Sequence, residues 1–225
     1  MLDEPLGLTV HSLPSPQEAG EGARRTVRGR WRLLGLAAVC AAPIAASYFT
    51  YYVVRPEGRR NYGELLEPQR PLPLIAATAL DGKPLPLAAL RGQWLLISVA
   101  PGDCDVACEK HLYLQRQLRE GLGREKDRLD WVWLVPGETP VRPALLPALS
   151  QATVLRVNGE QLAKWLPPAQ GRQVREHLYL VDPLGNLMLR FPAGLDRASA
   201  PNAKRDLDRL MRASAGWDKA GREPL

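Results

Sequence analysis

Cysteine is scarce in this chain of 225 residues: there are three, Cys40, Cys104 and Cys108. A structural zinc site of four thiolates is excluded, because the second pair it needs is missing. Aromatic residues make up only 6%, and nowhere do they interleave with a basic stripe. The net charge of +6 therefore carries no signature of nucleic-acid binding. Five of the arginines cluster before residue 33, and the others mix with acids, as in REGLGREKDRLD (119–130). Internal repeats are absent. So is the hydroxyl residue three positions before a peroxidatic cysteine, where Pro101 stands instead, and a peroxiredoxin is excluded.

The most informative absence is one of charge. Leu33 to Val54, LLGLAAVCAAPIAASYFTYYVV, holds 22 residues without a single charged side chain. At about 1.5 Å per helical residue, such a run crosses a hydrocarbon core of about 30 Å. Tyr48, Tyr51 and Tyr52 suit an aromatic belt at its far end. Arg24, Arg25, Arg28, Arg30 and Arg32 precede the run, and Arg55, Arg59 and Arg60 follow it. The excess on the N-terminal side places residues 1–32 in the cytoplasm and everything after the span in the periplasm of a bacterial inner membrane. Small residues at Ala45-Ala46-Ser47 suit signal cleavage, but the apolar run continues past them, and the leading segment is long for a signal peptide. Val39 is too large to precede a lipidated cysteine at Cys40. The segment reads as an uncleaved anchor.

Residues 1–32, rich in Gly, Pro, Ser and Arg, read as a disordered tail, and 55–73 as a linker. Residues 74–225 then form one domain of ordinary size. In it, WLLISVA (94–100) and LDWVWLV (129–135) are continuous apolar runs of the kind found in buried strands. A helical pattern runs from the PGDC turn to about Leu122. ATVLRV (152–157) predicts a third strand and GEQLAKWL (159–166) a short helix. HLYLVDPLGNLMLRF (177–191) predicts two strands around an Asp-Pro-Leu-Gly turn. Asp81-Gly82 marks another turn, and Leu207, Leu210 and Met211 form a stripe on a closing helix. Strands alternating with helices, followed by a hairpin and a helix, predict an α/β sandwich behind a single transmembrane helix.

The chemistry concentrates in GDCDVACEKH (102–111). Its two cysteines follow a buried strand at the turn into a helix, the end of an α/β sheet where sites form. At helical spacing, Cys104 and Cys108 share a face, close enough for a disulfide or for one soft ion held between two thiolates. His111 continues the same i, i+4, i+7 stripe. The helix amino end stabilises a thiolate, while Asp103, Asp105 and Glu109 oppose that effect. The spacing alone leaves redox exchange and metal binding open. Thiolates with few other ligands favour Cu(I).

An anchor, an exported domain, DGKPLPLAALRGQWLLISV, the CDVAC turn and YLVDPLGNLMLRF together resemble the Sco/SenC family. Those proteins are membrane-anchored and thioredoxin-like. They deliver copper to, or reduce the cysteines of, the binuclear copper site of cytochrome c oxidase. The resemblance implies a thioredoxin-like sandwich, Cys104 and Cys108 as redox or Cu(I)-binding residues, and the oxidase subunit carrying that copper site as the partner. It also implies a histidine as third copper ligand, but the matching position holds Val174, and His177 lies three residues on. His111 and His177 are the candidates to replace it. The proline usual after the first cysteine is Asp105 here. Two further readings stand beside the main one. One is a non-catalytic assembly adaptor using the proline-rich loop 136–147, and the other a general thiol-disulfide oxidoreductase for cytochrome c maturation.

Overall fold

The computed structural model describes residues 16–54, 61–218 and 220–221, with the side chains of 16–27 left aside. Residues 1–15 of the expected tail and 55–60 of the expected linker lie outside the described residues. The chain divides into two units, Met1–Arg59 and Arg60–Leu225.

The first unit is helix α1, Pro16–Phe49, closing in a π-helical turn at Thr50–Val54. Its stretch Arg28–Val54 is long and apolar enough to cross a membrane, with a mean hydropathy of 1.7. The helix starts at Pro16, well before the charge-free run, so residues 16–32 depart from the disorder expected of them. Proline suits a first helical turn, and the Glu, Ala and Arg residues that follow are good helix formers. At the other end, Thr50 Oγ1 donates to the carbonyl of Ala46 at 2.8 Å.

The second unit is a seven-stranded mixed sheet with helices on both faces. Its strands are β1 (Glu64–Pro71), β2 (Ala77–Ala79), β3 (Trp94–Val99), β4 (Leu129–Pro136), β5 (Thr153–Val157), β6 (Tyr179–Val181) and β7 (Asn186–Arg190), in the spatial order β1-β7-β6-β3-β4-β5-β2. β3, β4 and β5 are parallel, and the other pairings are antiparallel. Helix α2 (Val106–Glu120) links β3 to β4, α3 (Gly159–Trp165) follows β5, and α4 (Ala200–Ala213) closes the fold.

Strand β3 shows why the sheet sits at the centre. All six of its residues are buried. Leu95, Ile97 and Val99 pack into the cluster that includes Leu162 and Trp165 of α3. Trp94 and Leu96 point the other way, toward Leu114 and Leu118 of α2 and Leu207 and Met211 of α4. A period of two on a strand with both faces covered produces this division. The β6–β7 turn closes as expected, with Gly185 N donating to Asp182 O at 2.9 Å. Gly185 takes φ +90 there, a left-handed conformation that favours glycine.

The expected linker is a second departure. Glu64–Pro71 is not a tether but edge strand β1, paired with β7 through Glu64–Arg190 and Arg70–Leu187. Arg190 reinforces the pairing with an ion pair to Glu64 at 2.5 Å. Asp206 of α4 accepts from the amides of Tyr62 and Gly63, at 2.7 and 2.9 Å. The prolines that read as linker are tolerated because an edge strand needs hydrogen bonds on one side only.

Candidate functional site

β3 ends at Val99, and the chain turns through Ala100–Asp105 into α2. Trp133 Nε1 of β4 donates to Ala100 O at 3.1 Å and fixes the start of this turn. Cys104 N donates to Pro101 O at 3.1 Å, and Cys104 takes φ +33, a left-handed conformation costly for a residue with a Cβ. Gly102 meets the proline-rich loop so closely that a Cβ would lie 2.2 Å from Thr139 O. Its own carbonyl accepts from Arg142 N at 3.3 Å. Arg142 also forms an ion pair with Glu109 on α2.

Cys104 and Cys108 are joined by a disulfide, with Cα atoms 5.3 Å apart. The shared helical stripe expected of Cys104, Cys108 and His111 is not formed, because α2 begins only at Val106. Asp105 is its N-cap, and the carboxylate accepts from Cys108 N at 2.8 Å. Cys104 therefore sits before the cap and Cys108 in the first turn, and the bridge spans the helix start. This gives Asp105 a structural task beside the electrostatic one expected of it. An aspartate at a strand-to-helix turn is an N-cap signal that could have been read from the sequence.

The two sulfurs differ in surroundings. Cys104 is fully buried, in a cluster with Trp131, Trp133, Val135 and Val141. Cys108 is 8% exposed and lines a cleft of about 410 Å³. Ser98, Asp105, Ala107 and His111 form the near wall, and Arg172, Arg175 and Glu176 the far one. Arg172 and Arg175 escaped the sequence reading, since nothing local marks a loop arginine as a cleft residue.

The histidines part company. His111 is half-buried in the cleft wall one turn after Cys108. Burial lowers its pKa, and nearby His177 adds to the effect, while Asp105 and Glu176 oppose it. His177 is 1% exposed. Its Nδ1 lies 2.9 Å from Phe191 O, and its Nε2 accepts from Ala169 N at 3.2 Å. With Nδ1 donating, both ring nitrogens are used and the ring is neutral. Burial lowers this pKa too, against the Phe191 carbonyl, which raises it. Val174 packs its side chain against the main apolar cluster.

Among the described residues, no three His, Cys, Asp or Glu side chains gather as a metal site. The two sulfurs are spent on each other, and His177 has no free nitrogen. These residues do not fit a three-donor copper centre. Of the two candidate histidine ligands, His177 has both ring nitrogens in hydrogen bonds, and His111 lies beside Cys108 in the cleft wall.

A family model described as transmembrane-like, thioredoxin-like, C-terminal domain matches residues 94–214. A second, described as transmembrane-like, N-terminal domain, matches residues 23–54. No curated protein matches the chain. Among solved structures, it is similar to a SCO1/SenC family lipoprotein from Bacillus anthracis, at 19% identity over 64% of this chain and 98% of that one, with a TM-score of 0.46. It is also similar to yeast Sco1 with copper bound, at 15% identity over 64% and 92%, with a TM-score of 0.48. A thiol:disulfide interchange protein from Bacteroides is 14% identical over 65% and 91%, with a TM-score of 0.47.

Proposed function

We propose that this chain, which belongs to the transmembrane-like, thioredoxin-like family, is a membrane-anchored thiol-disulfide exchange protein of the bacterial periplasm. α1 holds it to the inner membrane with its N-terminus in the cytoplasm. The unit from Arg60 onward works on the far side, where disulfides persist. Its partner is the cytochrome c oxidase subunit that carries the binuclear copper site, whose cysteines must be reduced before they take metal. The oxidised pair accepts two electrons from a dithiol, or the reduced pair donates two to a disulfide.

One observation carries this reading: a disulfide stands where a central strand meets a helix, with one of its sulfurs on the wall of a cleft. Copper enters, on this reading, as the metal destined for the partner. The reduced pair offers it two thiolates at most, a weak hold beside a three-donor site.

The test is the reduction potential of the pair in the full chain held in detergent. A value above about −300 mV supports exchange, and one far below it marks an inert staple. The full burial of Cys104 favours one alternative, an adaptor in which the bridge only braces the turn. Complementation separates the two. A chain carrying both Cys104→Ala and Cys108→Ala fails to restore oxidase assembly if exchange is the function, and restores it if the protein is an adaptor.

A further inference from the structure

The two sulfurs of the bridge are not equivalent, and the difference assigns them roles. Cys108 forms part of the cleft wall, together with Ala107 and His111. Cys104 does not reach the cleft. It lies at 0% exposure, in one buried cluster with Val141, Trp133 and Val135. The proline-rich loop contributes Val141 to this cluster, and that loop is fastened. Arg142 N holds Gly102 O, Arg142 pairs with Glu109, and Gly102 leaves no room at Thr139 and Pro140. A thiol approaching from solvent therefore meets Cys108 alone.

Resting on the exchange reading above, we infer that Cys108 is the sulfur attacked by the incoming thiolate and that Cys104 is the leaving sulfur, so that the second cysteine of the pair, not the first, carries the mixed disulfide. In this direction the partner is a protein dithiol that acts as reductant and recharges the chain, distinct from the oxidase subunit. One of its thiols, as thiolate, forms an S–S bond to Cys108 Sγ while the Cys104–Cys108 bond breaks. The electron pair of that bond goes to Cys104 Sγ. The new thiolate lies just before Asp105, at the amino end of α2, where the backbone amides favour negative charge. Burial opposes this charge, so the Cys104 thiolate takes up the proton that the partner thiol gave to solvent. The partner's second thiolate then attacks its own sulfur in the mixed disulfide and releases Cys108 as thiolate, which is protonated in turn. The partner leaves as a disulfide, two electrons poorer, and the chain holds two thiols. With the steps reversed, the reduced chain attacks a disulfide of the oxidase subunit through Cys108 and leaves that subunit's cysteines reduced, as metal loading requires.

Two measurements on the full chain in detergent test the assignment. In the first, wild-type protein is reduced and treated with limiting N-ethylmaleimide, and the labelled sites are identified by mass spectrometry, which also separates Cys40. Cys108 is expected to be labelled about tenfold faster than Cys104, because access and thiolate character control the rate. Equal rates, a faster Cys104, or no labelling at either sulfur overturn the assignment. The second uses Cys104→Ser and Cys108→Ser, each in a Cys40→Ser background, with an aromatic disulfide as probe. The chain retaining Cys108 should form the mixed disulfide about tenfold faster. The reverse order overturns the inference in the same way. The reduction potential of the wild-type pair is independent of which sulfur is attacked. A potential above about −300 mV with reversed labelling rejects only the sulfur assignment, whereas a potential far below it rejects exchange itself.

Discussion

Two segments face each other across the cleft, and their chemistry is disposed in opposite ways. On one side, the turn after β3 presents Cys108 and His111. On the other, residues 172–177 present Arg172, Arg175 and Glu176, but the imidazole that follows them is turned into the protein and held at both nitrogens. Both segments were candidates to supply metal ligands. One is open and redox-capable, and the other is shut and structural. A histidine is available for chemistry only when its neighbours leave a nitrogen unoccupied, which residue type and spacing do not reveal.

The strongest way to break this contrast acts on the cover over the bridge. Gly102→Ala places a methyl group against Thr139 O and Pro140, backbone atoms that cannot give way without moving the loop. A loss of about 3 kcal/mol in unfolding free energy is expected, measurable by urea titration. The displaced loop should also open Cys104, so that the labelling difference between the two sulfurs shrinks.

Next comes the closed side. His177→Ala removes two buried hydrogen bonds and should cost about 2 kcal/mol, while leaving the labelling of Cys108 and the Cu(I) affinity of the reduced chain unchanged. A fall in Cu(I) affinity would show that the ring can leave its partners and bind metal. The same residue gives a pH signature. Its folded pKa is lowered, as is that of His111, so between the folded values and about 6.5 the unfolded chain binds more protons. Stability from these rings is therefore present above about pH 6.5 and is lost as pH falls below it. Thermal melts from pH 7.5 to 5 should show the decline in the wild type and a shallower one in His177→Ala.

The smallest effect is expected at the helix cap. Asp105→Ala removes the acceptor for Cys108 N and should cost about 1 kcal/mol by denaturant titration. It trims the near wall but leaves Cys108 on the cleft and the far wall in place, so Cys108 should remain the faster thiol.

Much of the scaffold was legible from local pattern. WLLISVA and LDWVWLV became β3 and β4, the Asp-Pro-Leu-Gly turn closed β6 onto β7, and Leu207 and Met211 lie buried on α4. Each depends on periodicity or turn chemistry within about ten residues of sequence. The stripe of three potential ligands failed because the first of them stands before the helix, beyond the cap that Asp105 supplies. The linker failed for a different reason. Glu64–Pro71 has too many prolines and charges to read as a strand, and only its partner β7, more than a hundred positions away, makes it one.

The sequence by itself determined an anchor, an α/β sandwich, and a cysteine pair at the end of a buried strand, because apolar period, chain length and turn residues act over short distances. Only the tertiary structure decided that one sulfur faces a cleft while the other is buried in a cluster with Trp133 and Val141, and that His177 spends both nitrogens on Phe191 and Ala169. Exposure and hydrogen-bond partners are set by whichever distant segments pack alongside, and no local pattern carries that information.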